Sequence, residues 1–492
     1  MTRYIITRLL KSIVSIFLVV SIVIVMLFTL IPRMNVVQND GAFNKLQGDA
    51  RTTYLYTKLD ELGYLHFIRQ AQMCEVAEDV AKCNNNDPAQ LEYVTTYWQD
   101  NGYEVSTLLN GTLYGIHDYK AWEILFNYYK KMIVIDSPSF VEKNYGVKLE
   151  NTGYRIGTDF NGLPALIGNG TKYKYQLYLD GSFPFIHQNI IHLNFGKSYP
   201  TKAGMDTLAV INTGQGEQKQ VEMTFETGNT MKSAANLHTL RYKTQPDSLD
   251  QRKFNDNYAE YDSYYQAPSM VSMSYLMGII ALLITYAIAI PAGIFMARKK
   301  DKLPDKIGLV YINILNSVPS LAFIFFMRQI GMMLGLPASF PQLGYFNVKS
   351  YIMPIVILGL MSTPSLMTWT RRYMLDQANS DYVKFARAKG LSEGEVYKKH
   401  ILKNAIIPVV NGIPGSIILC ISGAFITESA FSVPGMGKML PDSIKALNSN
   451  MVITLVFLFT TLSVLSVLAG DVLMTVIDPR IQLASKGGTK KR

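Results

Sequence analysis

The sequence predicts an α-helical polytopic membrane protein with six membrane spans and an α+β domain inserted after the first span. Of its 492 residues, 49% are hydrophobic and only 17% are charged. The apolar residues are concentrated near the two ends of the chain, in long uncharged stretches. These observations exclude a soluble multidomain protein and a disordered chain, and three cysteines are too few for a disulfide-rich secreted scaffold.

Six uncharged stretches are long enough to cross a membrane. A hydrocarbon core of about 30 Å requires about 20 apolar residues at a rise of 1.5 Å per residue. The segment 329–348 is also uncharged, but its glycines and prolines predict the end of a helix and an outer loop. The predicted spans are 12–31, 272–297, 307–327, 350–370, 404–427 and 446–470.

The first span follows a basic leader that contains Arg3, Arg8 and Lys11. A cleaved signal peptide is the alternative to a retained anchor. The apolar core of a signal peptide is usually about 7–15 residues long and is followed by a small-residue cleavage site. This stretch is longer and no A-x-A site follows it, which favours a retained membrane helix within residues 1–33.

The distribution of lysine and arginine predicts the orientation of the spans. The N-terminus, the segments 298–306 and 371–403, and the tail after residue 470 hold 21 Lys and Arg, whereas the short loops on the opposite side hold four. Because Lys and Arg accumulate on the cytoplasmic side, both termini are predicted to be cytoplasmic, including a basic tail at 481–492. The formal charge of +10 then reflects topology and not a surface for nucleic acid.

Residues 34–265 are predicted to form an extracytoplasmic α+β domain. The stretch 33–265 is slightly acidic, with 22 Lys and Arg against 27 Asp and Glu. Alternating side chains predict strands at 173–179 and 221–225, the second of which could pair with 208–211. From an N-cap at Asp118, an apolar stripe predicts an amphipathic helix. The stripe consists of Trp122, Leu125, Phe126 and Tyr129.

Cys74 and Cys83 are the only cysteines of this domain and form a candidate disulfide. In a continuous helix their Cα atoms would lie about 13.5 Å apart, whereas a disulfide allows about 4.4–6.8 Å. A bridge therefore requires a turn between them, and the sequence leaves the question open.

The sequence contains no legible catalytic or metal-binding constellation. His187 and His192 lack the spacing and acidic partner of a zinc protease helix. A Gly-Lys-Ser occurs at 196–198, but Ile191 stands where a phosphate-binding loop needs its first glycine. We therefore expect a chain that is not itself an enzyme.

The basic loop 381–408 carries the most informative motif. Gly390 can end a short helix in the left-handed conformation, and Ser392 with Glu395 can form a capping box for the next helix. This pattern predicts two short helices that meet at a cytoplasmic corner. The motif residues are Ala386, Arg387, Ala388, Lys389, Gly390, His400, Asn404 and Pro408.

This motif resembles the EAA loop of permease subunits of bacterial ABC importers, in the form typical of dipeptide and oligopeptide permeases. The loop begins Lys-Phe-Ala at 384–386 instead of Glu-Ala-Ala, a departure that is ordinary in the peptide branch. The long insertion is similar to that of the Ami-type oligopeptide permeases of streptococci and related Gram-positive bacteria. Further matching segments are 1–32, 267–270, 290–294, 317–320, 428–441 and the closing Asp478-Pro479-Arg480.

The resemblance implies a type I ABC importer permease of the bacterial cell membrane, a B-type subunit that forms half of the pore for oligopeptides. Its implied partners are a second homologous permease subunit, two ATPase subunits and an extracellular peptide-binding lipoprotein. ATP and Mg would be bound by the ATPase subunits, so no cofactor is expected in this chain. The transmembrane domain would cover 266–480. The implied ATPase-coupling residues are Ala386, Arg387, Lys389, Gly390, Leu391, Ser392, Glu395 and Val396.

Polar residues in or near the spans are candidates for the translocation path. Small polar residues also serve to pack membrane helices, and both interpretations stay open for each of them. The candidates are Asn313, Asn316, Ser317, Ser320, Ser362, Thr363 and Asn411.

Two other functions remain alternatives. An export or mechanotransmission permease can also carry an outer domain between its first two spans, but such proteins usually have four spans and no EAA loop. A membrane-anchored receptor or surface enzyme would bind or cleave its ligand with the outer domain alone.

Overall fold

The computed structural model describes residues 2–150, 152–159, 162–168, 175–179, 186–263, 265–420 and 425–477. The chain divides into two compact units. The helical unit comprises Met1–Val20, Ala267–Asp442 and Leu455–Arg492, and the mixed unit comprises Ser21–Gln266 and Ser443–Thr454. The closing motif Asp478-Pro479-Arg480 and the tail 481–492 lie outside the described residues.

Four described helices are long and apolar enough to span a membrane, and two bent helix pairs raise the number to six if each pair is one span. The four helices are Thr2–Leu30, Met270–Arg298, Lys349–Ala378 and Ser449–Ile477. The bent pairs are Leu303–Ser317 with Ser320–Met333, at 108°, and Glu393–Ala405 with Ile407–Leu419, at 41°. Shorter helices of this part of the chain are Asp381–Ala388, Phe425–Phe431 and Met436–Lys445.

The span predicted at 307–327 is not one straight helix, because the chain bends sharply between Ser317 and Ser320. Pro319 has no N–H to donate, and its ring disfavours the helical conformation at Val318. Val318 is extended, with φ −77° and ψ 127°. The bend therefore follows from the proline that the sequence places there.

Small residues let the helices Met270–Arg298 and Lys349–Ala378 approach closely. A Cβ added to Gly293 would lie 2.8 Å from Cβ of Thr370, and one added to Gly359 would lie 3.1 Å from the carbonyl oxygen of Ala281. The Thr285 hydroxyl donates a hydrogen bond of 2.9 Å to the carbonyl oxygen of Gly359. Such contacts are typical of helix packing in a membrane.

The mixed unit combines short helices with small antiparallel sheets. One sheet has three strands, with Leu113–Asp118 between Leu65–Arg69 and Glu104–Thr107. A four-stranded sheet orders Arg155–Thr158, Pro164–Ile167, Tyr175–Leu179 and Ile186–Gln188. Further strands are Ile133–Ile135, Ile191–Leu193, Gly214–Gln218, Val221–Thr224, Thr230–Ser233, Ala235–Tyr242, Tyr258–Ser263 and Tyr265–Ser269. The helices are Arg33–Gln38, Gly48–Leu62, Gln70–Met73, Val80–Asn84, Pro88–Asp100, Ala121–Met132, Pro138–Tyr145, Thr207–Asn212 and Ser248–Lys253.

One predicted strand pairing is wrong. The segment predicted to pair at 208–211 belongs to the helix Thr207–Asn212, and Val221–Thr224 pairs with Thr230–Ser233 instead. A short apolar run does not distinguish a buried strand from a buried helix. Here Val210 and Ile211 are buried on the helix.

Cys74 and Cys83 form a disulfide whose Cα atoms are 5.7 Å apart. The chain turns between them, because a 3-10 turn at Cys74–Val76 ends before the helix Val80–Asn84 begins. Both cysteines are fully buried and pack with Ile68 and Val94. The disulfide therefore belongs to the core of this part of the mixed unit.

Candidate functional site

The predicted cytoplasmic corner is a tight turn between two helical segments. Gly390 has φ +79°, and its N–H donates to the carbonyl oxygen of Arg387 at 2.9 Å. The next helix begins with the predicted capping box, in which the Glu395 N–H donates to Oγ of Ser392 and the Ser392 N–H donates to Oε2 of Glu395, each at 3.4 Å. The Ser392 hydroxyl also donates to Oε2 of Glu395, at 3.0 Å. These hydrogen bonds with Ser392 hold the pKa of Glu395 below its ordinary value. Glu395 is therefore ionised at neutral pH.

An ion pair on the exposed surface of the corner joins its two helical segments. Arg387 donates from Nε to Oε1 of Glu393 at 2.8 Å and from Nη2 to Oε2 at 3.3 Å. The bidentate geometry fixes both side chains more firmly than a single contact would. The corner thus presents a defined arrangement of charges.

The residues for which the resemblance implies a coupling role divide into an exposed and a buried set. Ala386 and Val396 are buried in a cluster with Val383, Met374 and Ile401, so they position the corner and are covered by this chain. Leu391 is half-buried against the same cluster. The exposed members are Arg387, Lys389, Gly390, Ser392 and Glu395.

The remaining motif residues support the segment that leads back to the membrane helices. The Asn404 amide donates to the carbonyl oxygen of His400 at 2.9 Å, and the Tyr397 hydroxyl donates to the carbonyl oxygen of Ile294 at 3.4 Å. Pro408 lies in the first turn of the helix Ile407–Leu419, where its missing N–H costs nothing. The corner is thereby tied to the helix Met270–Arg298.

A buried ion pair that sequence reasoning missed lies within the helical unit. Arg371 donates from Nε and Nη2 to the two carboxylate oxygens of Asp305, at 2.7 and 2.8 Å. The Asp301 N–H also donates to this carboxylate, at 2.9 Å. Asp305 is fully buried, so the pair joins the helices Leu303–Ser317 and Lys349–Ala378.

A second missed feature explains the matching segment at 428–441. Glu428 is 0% exposed, and its carboxylate accepts hydrogen bonds of 2.8 Å from the Ser274 hydroxyl and from the Lys438 N–H. The carboxylate thus caps the helix Met436–Lys445. A Cβ added to Gly435 would lie 2.2 Å from Cδ of Glu428, so this position has no room for a side chain. The spacing between Glu428 and Gly435 was the sequence signal from which this contact could have been predicted.

The candidate path residues fall into different environments. Ser362 lines a cavity of about 450 Å³ between the helices Met270–Arg298, Lys349–Ala378 and Ile407–Leu419. Thr363 is fully buried and shares a hydrogen bond of 2.7 Å with the Tyr311 hydroxyl, and Asn411 is half-buried. Asn313, Asn316, Ser317 and Ser320 are exposed around the 108° bend.

The described residues contain no group of three His, Cys, Asp or Glu side chains that could hold a metal ion.

Residues 289–483 match the family model of the binding-protein-dependent transport system inner membrane component. The oligopeptide transport system permease protein AmiC of Streptococcus pneumoniae is 40% identical to this chain over 506 aligned positions, which cover 99% of this chain and 100% of that protein. This chain belongs to that permease family. The dipeptide transport system permease protein DppB of Lactococcus lactis is 31% identical over 43% of this chain and 69% of its own length.

The methionine ABC transporter MetNI, in an inward-facing structure, covers 42% of this chain and 94% of its own chain, with 16% identity and a TM-score of 0.34. That likeness is too weak to support an argument about this permease.

Proposed function

We propose that this chain is one permease subunit of an ATP-driven oligopeptide importer and forms half of its translocation pore. The observation that carries the proposal is the match to an oligopeptide transport permease over almost the whole chain, including the long insertion. The exposed, capped corner around Gly390 supports it, because an importer permease needs a defined cytoplasmic surface for its ATPase.

The proposed topology places both termini in the cytoplasm and residues 34–265 outside. The excess of Lys and Arg in the N-terminus, the segments 298–306 and 371–403, and the tail after residue 470 supports this orientation. The disulfide between Cys74 and Cys83 suits an oxidising compartment outside the cell. On this view the chain consists of a first helix in 1–33, an outer domain at 34–265, a transmembrane domain at 266–480 and a basic tail at 481–492.

In this proposal an ATPase subunit, which would bind ATP and Mg, holds the exposed side of the corner. Its movement would reach the membrane helices through the buried side, where Ala386 and Val396 pack with Ala297 and Met374. Those two residues belong to the helices Met270–Arg298 and Lys349–Ala378, which border the 450 Å³ cavity. A second permease subunit and an extracellular peptide-binding lipoprotein would complete the transporter.

The exposed polar residues at the 108° bend are proposed to face the path or the second permease subunit. Uncovered amides in hydrocarbon cost free energy unless water or protein satisfies them. Asn313 and Asn316 are exposed in this chain alone, so a partner subunit or the water of a path must cover them.

The substitution Leu391→Glu tests the coupling role of the corner. A carboxylate at this half-buried apolar position should disturb docking of the ATPase while the chain stays in the membrane. We expect peptide uptake by the assembled transporter to fall at least tenfold while ATP hydrolysis persists. Lys306→Glu, an exposed charge reversal outside the corner, is the matched control. Unchanged uptake in Leu391→Glu would refute the assignment.

A further inference from the structure

The mixed unit contains a cavity of about 840 Å³. All residues that line it belong to this unit, including Phe28 of the helix Thr2–Leu30 and Asn450 of the helix Ser449–Ile477. Sites for small ligands usually have volumes of about 300–1,000 Å³. The cavity is therefore large enough to hold such a ligand.

One wall of the cavity is a face of the helix Ala121–Met132. The helix begins after Lys120, two residues later than the N-cap predicted at Asp118. Trp122 and Phe126 of the predicted stripe are exposed. Residues three and four positions apart share one face of a helix, and the lining residues follow this spacing. They are Ile124, Asn127, Tyr128 and Lys131.

Charged side chains of both signs line the cavity. Nζ of Lys58 lies 2.6 Å from Oε2 of Glu61, so these two charges neutralise each other. The cavity also offers carboxylate and ammonium groups beyond this pair. The other charged residues of the lining are Asp40, Asp206, Lys131 and Lys197.

Asp40 is held in place as an ionised carboxylate. The hydroxyls of Tyr54 and Tyr199 donate to its Oδ2 at 2.6 and 2.9 Å, and the Ala42 N–H donates to its Oδ1 at 2.8 Å. Burial raises the pKa of Asp40, but these hydrogen bonds outweigh burial and hold the pKa below its ordinary value. A carboxylate has about four lone-pair sites, so Asp40 can accept a further hydrogen bond from an ammonium group.

The ammonium groups of Lys131 and Lys197 are available to a ligand carboxylate. Both residues are exposed, and neither forms an ion pair with a described residue. The carbonyl oxygen of Lys197 accepts a hydrogen bond of 2.9 Å from the Asn450 amide. The hydroxyl of the next residue, Ser198, accepts one of 2.8 Å from the Asn448 amide. These bonds hold the backbone of Lys197 at the cavity wall.

The uncharged part of the lining suits a peptide backbone. An amide side chain offers both a donor and an acceptor, which matches the N–H and C=O groups of a peptide. Phe28 and Phe195 are buried and add apolar surface for peptide side chains. The amide side chains of the lining are Asn127, Asn194 and Asn450.

The proposed topology places the cavity at the outer ends of two spans. Phe28 is two residues from the end of the helix Thr2–Leu30, and Asn450 is the second residue of the helix Ser449–Ile477. A ligand from outside the cell would therefore reach the cavity without crossing the membrane.

We propose that this cavity is a peptide site of the permease subunit itself and binds a short peptide with free termini. The ammonium group of the peptide pairs with Asp40, and its carboxylate pairs with Lys131 and Lys197. Charges of both signs in one cavity favour such a zwitterion over a simple anion or cation. The proposal rests on the proposed function, because an oligopeptide importer meets this ligand on the outer side of the membrane.

Titration calorimetry of the purified full-length chain in detergent tests the proposal without the peptide-binding lipoprotein or the ATPase subunits. Tetra-alanine is the probe, because it has both charged termini and no side-chain charge. We expect saturable binding of one peptide per chain. Binding should be at least fivefold tighter than that of N-acetylated tetra-alanine or of tetra-alanine amide, since each blocked peptide keeps the backbone and lacks one terminal charge.

Two substitutions assign each terminus of the peptide to its partner. Asp40→Asn should remove the preference for a free ammonium group, and Lys131→Gln should reduce the preference for a free carboxylate. The asparagine oxygen can still accept from the Tyr54 and Tyr199 hydroxyls, so the local structure is kept. Lys130→Gln, next to Lys131 but outside the cavity lining, is the matched control and should keep the wild-type affinity.

Equal affinity for tetra-alanine and its blocked forms, or no binding by the wild type, would overturn the proposal. Unchanged preferences for both termini in both variants would place the peptide elsewhere in the chain and overturn it as well. Binding of inorganic phosphate without binding of tetra-alanine would identify an anion site instead, with the same consequence. The readout does not depend on transport, so peptide uptake by the assembled transporter in the absence of this binding would leave the proposed function intact.

Discussion

Two enclosed carboxyl groups, Glu428 in the helical unit and Glu226 in the mixed unit, constrain the residues around them. In the helical unit, the Glu428 carboxylate occupies the space that a side chain at Gly435 would need. In the mixed unit, a carboxyl group at Glu226 is partly enclosed near Asp256. Each leads to a prediction that a single substitution tests.

Gly435→Ala should destabilise the helical unit. The added methyl group would lie 2.2 Å from Cδ of Glu428, so the buried carboxylate must move and lose hydrogen bonds to Ser274 or Lys438. Overpacking of this kind costs about 1–3 kcal/mol. We expect a lower thermal unfolding midpoint of the detergent-solubilised protein. Gly412→Ala is the matched control, because apart from its own helix no described part of the chain comes within 4 Å of its added Cβ; equal midpoints for the two variants would contradict the assignment.

Glu226 predicts a dependence of stability on pH. Burial, and then the negative charge of Asp256, raise the pKa of Glu226 from 4.5 to about 8. Between these values the folded chain binds more protons than the unfolded chain, so stability falls as the pH rises through this window. Glu226→Gln should show a smaller loss of thermal midpoint between pH 5.5 and pH 8.5 than the wild type. Glu222→Gln, at an exposed position, should keep the wild-type dependence; a wild-type slope in Glu226→Gln would exclude this explanation.

At the scale of elements, the corner around Gly390 is a tight turn whose two sides differ in burial. Its inner side, with Ala386 and Val396, is packed against membrane helices, and its outer side is exposed and charged. The left-handed Gly390 and the capping box were predictable, because both depend on short-range spacing. The division into inner and outer sides was not, because it depends on packing against Ala297, which lies far away in the sequence.

A charge exchange tests whether the pair of Arg387 and Glu393 sets the shape of the corner. Exposed ion pairs contribute little to stability, about 0.2–1 kcal/mol, so the expected effect is on transport. Arg387→Glu should reduce peptide uptake severalfold, and the addition of Glu393→Arg should restore most of it. Asp381 and Lys384 form a second exposed ion pair, on the helix that also carries Arg387. Exchanging the charges of these two residues should leave uptake unchanged. No recovery in the double variant would show that the pair does not act through its geometry.

At the scale of the whole molecule, charge and hydropathy predicted a polytopic membrane protein, and the resemblance of the 381–408 motif implied a permease, which the family relationship confirms. The sequence predicted six spans as simple helices, whereas the described part of the chain has four long helices and two bent pairs. Hydropathy averages over a window and does not register a bend such as that at Pro319. The mixed unit was less predictable, since its sheets pair strands whose short apolar runs also suit helices, as at 207–212. The helical stripe that includes Trp122 and Phe126 was predictable, but the exposure of these two side chains required the fold.

ATP-dependent uptake of a labelled oligopeptide into proteoliposomes tests the central claim most directly. The vesicles would contain the complete transporter, with both permeases and the ATPase subunits, and the peptide-binding lipoprotein would be supplied on the outer side. We predict that uptake requires ATP inside the vesicles and this chain in the membrane, and that it is lost when this chain is left out. Equal ATP-dependent uptake in vesicles without this chain would contradict the proposed function.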